Sequence, residues 1–128
     1  MIFLDASFLI AIFVENDKWH QDALKVLPKI AKKKKIISKL VIAETITNLT
    51  HNLDTKSIRE IYNNINENFT VINEVDYYDG AMKVFIHYDG TLSFFDSMYV
   101  KIMEKKGLYE IASFDKHFDN KENIVRVH

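Results

Sequence analysis

The chain has 128 residues, 48% of them hydrophobic and 12% aromatic, with a formal net charge of -1. That length suits one domain, 1–128, with a proper core, and the charge excludes a molecule that is basic overall and binds nucleic acid by that alone. The absence of cysteine excludes disulfides and thiolate metal sites and fits a cytoplasmic protein; no apolar run is long enough to span a membrane, and the apolar start lacks the basic flank and cleavage site of a signal peptide.

Taken in chain order, residues 2–5 (IFLD) read as a short buried strand and 7–14 as a helix. Residues 18–33 form a second helix, with Trp19, Ala23, Val26, Leu27 and Ile30 at helical spacing. KIIS (35–38) is a strand. Residues 39–53 are helical, and Thr55 or Ser57 caps a helix running to about Asn68. FTVIN (69–73) favours a strand through its β-branched content. Residues 76–88 are helical, Asp89-Gly90 is a turn, and 93–106 is a helix ended by Gly107. EIAS (110–113) and IVRV (124–127) are strands, with a short helical turn at 115–120 between them. Alternating strands and helices imply an α/β fold: a mostly parallel sheet of short strands with helices on both faces. Ligands bind such sheets at the carboxyl ends of the strands.

Four carboxylates stand out against this pattern. Asp5 interrupts the apolar opening MIFLDASFLIAIF and ends the first strand. Glu44 lies in KLVIAETITNL, after the wholly apolar turn Leu40-Val41-Ile42-Ala43. Asp96 lies on or beside the stripe of Phe95, Met98, Tyr99, Ile102 and Met103. Asp115 directly follows the strand EIAS, and Asp119 stands one turn further on as a surface or supporting group. Each has a structural alternative: Asp5 and Asp115 as helix N-caps, Glu44 as a partner of Lys39, Asp96 as half of a capping box with Ser93. Together they approach one sheet edge. Four carboxylates there would repel one another unless divalent cations were bound. All-oxygen ligation suits Mg²⁺ or Mn²⁺, and with it phosphoryl chemistry.

With these motifs in view, the chain resembles the PIN-domain ribonucleases, especially the small VapC-type toxins. LDASFLIA is similar to that family's first motif, SKLVIAETI to its second, LSFFDSMYVKIMEKKG to its third and IASFDKHF to its fourth. The resemblance implies a three-layer PIN-like fold with a central, mostly parallel sheet of four to five short strands. It implies a metal-dependent endoribonuclease, the toxin of a VapBC-type toxin–antitoxin pair, with Mg²⁺ (or Mn²⁺) as cofactor. Asp5, Glu44, Asp96 and Asp115 would hold the metal and carry catalysis, with Ser7 and Ser113 supporting them by hydrogen bonds. RNA is the implied substrate, a homodimer the implied assembly, and an antitoxin the implied further partner.

Other features are less specific. Lys32, Lys33, Lys34 and Lys35 read either as a solvated helix end or as a contact to RNA phosphates. The five histidines show no metal-binding spacing, and His117, near Asp115, reads as a surface residue more readily than as a substrate contact. The aromatic surplus, including Tyr62, Tyr77, Tyr78 and Phe85, suggests apolar surface beyond the core. A haloacid dehalogenase-like phosphatase would need Asp where Ser7 stands. The remaining alternative is a PIN-like module that binds RNA or protein without cutting.

Overall fold

The computed structural model describes residues 1–121 and 123–128. Its strands are β1 (Ile2–Leu4), β2 (Lys35–Ser38), β3 (Thr70–Ile72), β4 (Glu110–Ala112) and β5 (Val125–Val127). All neighbouring pairs are parallel, in the order β3-β2-β1-β4-β5. Among the described residues six α-helices flank the sheet in a three-layer arrangement: α1 (Ala6–Phe13), α2 (His20–Ile30), α3 (Lys39–Leu49), α4 (Thr55–Asn68), α5 (Tyr78–His87) and α6 (Phe94–Lys106). Short 3-10 turns occupy Val75–Tyr77 and Lys116–Phe118.

The central strand is buried without remainder: Ile2, Phe3 and Leu4 have no exposed surface. A strand covered on both faces has no polar side, so it reads as an unbroken apolar run rather than an alternating one. The helices begin where side chains can satisfy their free amides. Asp5, Ser38, Asp54 and Ser93 accept the N–H groups of Phe8, Val41, Ser57 and Asp96 respectively. For α4 the cap is therefore Asp54, one residue before the helix, and not Thr55 or Ser57. Gly107 closes α6 at φ 67, a conformation that costs a residue with a Cβ.

The helices are shorter than periodicity suggests. The second runs over His20–Ile30, so Lys32 to Lys35 lie beyond it, and α3 stops at Leu49. The start of α3 also receives help from far along the chain. The buried Glu74 carboxylate accepts the N–H groups of Lys39 at 3.0 Å and Leu40 at 3.1 Å.

The chain leaves β1 toward β2 and β3, then returns to place β4 on the other side of β1. This reversal creates a switch point between β1 and β4. There the connections leave in opposite directions and open a crevice at the strand carboxyl ends. Phe3 and Leu4 pair in register with Ile111 and Ala112, so the residues just after them, Asp5 and Ser113, come together at that crevice.

Candidate active site

Asp5 leaves β1 directly into α1, and its carboxylate accepts three hydrogen bonds, short of the roughly four its oxygens can take. Oδ1 accepts the Phe8 N–H at 3.0 Å and the Ser7 hydroxyl at 2.7 Å, and Oδ2 accepts the Ser113 hydroxyl. Each serine oxygen in turn accepts a backbone amide from the far strand's exit: Phe114 N–H to Ser7 at 3.0 Å, Asp115 N–H to Ser113 at 2.9 Å. A hydroxyl has one proton to give and lone pairs to spare. The two serines spend the proton on Asp5 and the lone pairs on residues 114 and 115, which stitches the ends of β1 and β4 together. Burial pushes the Asp5 carboxyl up to about 6 despite these donors.

Asp96, in the first turn of α6, is 8% exposed. Burial first, then the charges of Asp115, Asp5 and Glu44, push its carboxyl up to about 7. Its own N–H donates to Ser93 Oγ at 3.1 Å. Ser93 is therefore the cap, and Asp96 gives it a backbone N–H while its carboxylate feels three other acids.

Glu44 lies in the second turn of α3 and is half-buried; the apolar turn before it is not buried on every side, since Ala43 is exposed. Burial raises its carboxyl above the ordinary value, the Tyr99 hydroxyl lowers it, and Asp115 raises it again. Tyr99 donates to Oε1 at 2.9 Å. Burial and the same acids push the Tyr99 phenol upward, so it keeps its proton and remains a donor.

Asp115 caps the 3-10 turn that follows β4, accepting the His117 N–H at 2.8 Å. The His117 ring Nδ1 lies 3.0 Å from the same oxygen. One ligand atom each from Asp96, Asp115 and His117 falls within 4.8 Å of the others. His117 therefore faces the acids despite its exposure. Asp119 points elsewhere: it holds Arg126 through Nε at 2.8 Å and Nη2 at 3.0 Å, while Arg126 Nη1 donates to the Ser113 carbonyl.

Asp5, Ser7, Glu44, Asp96, Asp115 and His117 all line one cleft, with Ser93 and Asn48. Ser113 is buried beneath it, bonded to Asp5. Lys32 to Lys35 lie at the opposite edge, before or at the start of β2. There Lys33 pairs with Glu110, and Lys35 Nζ donates to the carbonyls of Ala31 and Lys33. Tyr99 and His117 were the residues harder to read from sequence. Tyr99 follows Asp96 by three positions on one helix, a usable signal, but it is wholly buried and meets the cleft only through its hydrogen bond to Glu44.

The donor set fits a hard divalent cation. Carboxylate oxygens from four elements, two of them buried and raised, gain most from a cation that offsets their repulsion, and such oxygens suit Mg²⁺ or Mn²⁺.

A family model described as the PIN domain matches residues 2–124. Among solved structures, the chain is similar to VapC20 of Mycobacterium tuberculosis, described as a Sarcin-Ricin loop cleaving toxin: 23% identity, 91% of each chain covered, TM-score 0.81. It is similar to PAE2754 of Pyrobaculum aerophilum at 22% identity, over 98% of this chain and 88% of that one, TM-score 0.70. It is also similar to VapBC2 of Rickettsia felis, bound to a DNA fragment from its promoter: 13% identity, 99% and 98% covered, TM-score 0.70. No functionally curated protein sequence matches.

Proposed function

The chain belongs to the PIN-domain family, and on that premise we propose that it is a Mg²⁺- or Mn²⁺-dependent endoribonuclease, the toxin of a VapBC-type toxin–antitoxin pair. The observation that carries the reading is the meeting of Asp5, Glu44, Asp96 and Asp115 in one cleft, with Asp5 pushed up to about 6 and Asp96 to about 7. A purely structural cluster of this kind destabilises the fold. A metal site explains why it stands.

In this reading the four acids hold the cation. When bound, it supplies charge stabilisation to the phosphoryl oxygens and activates water as a nucleophile. The rest is done by the chain. Ser7 and Ser113 fix both oxygens of Asp5, and Tyr99 fixes one oxygen of Glu44. A ligand set held in advance need not reorganise when substrate arrives. The switch-point crevice leaves an open side for an RNA strand.

The working unit is a single PIN-like domain, 1–128, acting in the cytoplasm. Exposed Tyr78, Met82 and Ile86 on α5 and Phe95 on α6 support a homodimer. An antitoxin partner is supported by a structural neighbour from Klebsiella pneumoniae described as a toxin–antitoxin complex. Lys32 to Lys35 take no part in the proposed catalytic step, being at the other end of the strands.

The test is cleavage of single-stranded RNA by purified protein. Mg²⁺ or Mn²⁺ should support it, and EDTA or Asp96→Asn should abolish it. Full cleavage in excess chelator overturns the metal assignment. Metal binding with no cleavage of any RNA supplied supports the non-catalytic module instead.

A further inference from the structure

Beside the acidic cleft lies a second hollow of opposite character, lined by Trp19, Asp22, Phe114, Lys116, Arg126 and His128. Phe114 and Lys116 flank Asp115 in sequence, so the two recesses share a wall. The Trp19 indole lies parallel to the Phe114 ring, centroids 5.2 Å apart and planes within 3°. Phe114 stacks in turn on Phe8 at 5.7 Å, so the indole is the outer end of an aromatic column rooted in the core. The backbone behind it is pinned as well. Asp17 Oδ2 accepts the Trp19 N–H at 2.9 Å, and the next residue, His20, bonds through Nδ1 to the Ala11 carbonyl at 2.7 Å.

We infer that this hollow is a nucleotide subsite. It receives the base of a residue flanking the scissile phosphate against Trp19, and that nucleotide's phosphate against Lys116 and His128. The inference rests on the ribonuclease reading above and adds where the strand runs. Three observations carry it. The indole is half-buried and lines the hollow; it stacks on Phe114, and the exposed Lys18 ammonium lies 5.4 Å from its centroid, where a stacking base would replace it. Lys116 and Arg126 line the hollow against the single carboxylate of Asp22, a positive wall next to an acid cluster that would otherwise repel a polyanion. Arg126 is spoken for by Asp119 and the Ser113 carbonyl, so it forms a fixed wall, while Lys116 is exposed at the mouth. Asp22 at the rim adds an acceptor suited to a base amino group.

The experiment uses a built-in reporter, because Trp19 is the only tryptophan in the chain. Full-length protein is titrated with a fluorescein-labelled single-stranded oligoribonucleotide, with Ca²⁺ replacing Mg²⁺ to hold the strand uncut. Anisotropy reports binding, and indole emission with the unlabelled strand reports stacking. The expected result is quenching that tracks binding. Lys116→Ala should lower the salt slope by about one, and Trp19→Ala should weaken binding roughly tenfold. Lys105→Ala, an exposed lysine in the last turn of α6 and so at the end of that helix away from Asp96, should change nothing. Lys116→Ala keeps the test sound if Trp19→Ala fails to fold. RNA that binds and is cut in Mn²⁺ while indole emission and the Lys116→Ala slope stay unchanged overturns the subsite and leaves the nuclease standing. Quenching by an acidic peptide but not by RNA overturns it in favour of a protein ligand. Failure to bind or cut any RNA overturns both.

Discussion

The Tyr99 hydroxyl on α6 donates a 2.9 Å hydrogen bond to Glu44 Oε1 on α3, joining two helices whose contact residues are 55 apart in sequence. Tyr99 itself has no exposed surface. The bond sets the direction of a half-buried carboxylate from inside the core. Tyr99→Phe keeps the ring, and its packing on Phe3 at 5.4 Å, but removes the donor. Bonds to charged groups contribute about 1.5–3 kcal/mol. Titration calorimetry should therefore show Mn²⁺ affinity reduced by roughly tenfold or more, with the far-UV spectrum preserved. Unchanged affinity would mean that Glu44 is not a ligand or is held by other means.

Asp96→Asn removes one charge from the cluster at nearly constant shape. Without metal, the variant should melt at or above the parent temperature, because repulsion from Asp115, Asp5 and Glu44 is relieved. Its N–H still reaches Ser93 Oγ, so the helix cap survives. Stabilisation by a ligand scales with its affinity for the folded state, so the rise in melting temperature on adding Mn²⁺ should shrink sharply. Equal metal responses in the two proteins would remove Asp96 from the ligand set.

The raised acids give the metal-free protein an unusual pH response. Asp5 moves from 3.8 to about 6 and Asp96 from 3.8 to about 7. The folded chain thus holds these protons more tightly than the unfolded chain. Their contribution is full below the unfolded value and is lost as pH rises through about 6 and about 7. Unfolding free energies from urea titration in EDTA should fall between pH 4 and pH 7, by an amount on the order of a few kcal/mol, and the midpoints with them. Saturating Mn²⁺ should remove or reverse the fall, since a cation competes with those protons. Midpoints that rise with pH in EDTA would contradict the burial of uncompensated carboxylates.

Glu74 acts on stability more than on chemistry. Its carboxylate caps the start of α3 through the Lys39 and Leu40 amides. Glu74→Ala leaves both without that acceptor, at a cost of about 1–3 kcal/mol. Denaturant unfolding should show this loss with or without Mn²⁺. A loss that vanishes when metal is added would place Glu74 in the metal site.

The local features of this protein were legible in its sequence. The unbroken apolar run IFL and the Ile36-Ile37 pair of KIIS marked strands, Gly107 marked the end of α6, and Asp5 and Ser93 were recognisable as caps. These depend on the conformational preferences of a few adjacent residues. The acids that meet in the cleft also stood out, because a carboxylate inside an apolar segment is costly wherever the chain places it.

Tertiary structure decided the rest. Asp5 meets Ser113 because β1 pairs with β4, a register of Leu4 on Ala112 that no local preference encodes. Glu74 caps a helix 34 and 35 residues away, and Tyr99 turns from a core residue into a donor only when α6 meets α3. Asp119, close to Asp115 in sequence, is drawn to Arg126 instead. The lysine run falls before or at the start of β2, at the strand ends opposite the acids. Each of these outcomes rests on long-range pairing and shared burial, whose energy belongs to residues brought together by the whole fold rather than by their neighbours in the chain.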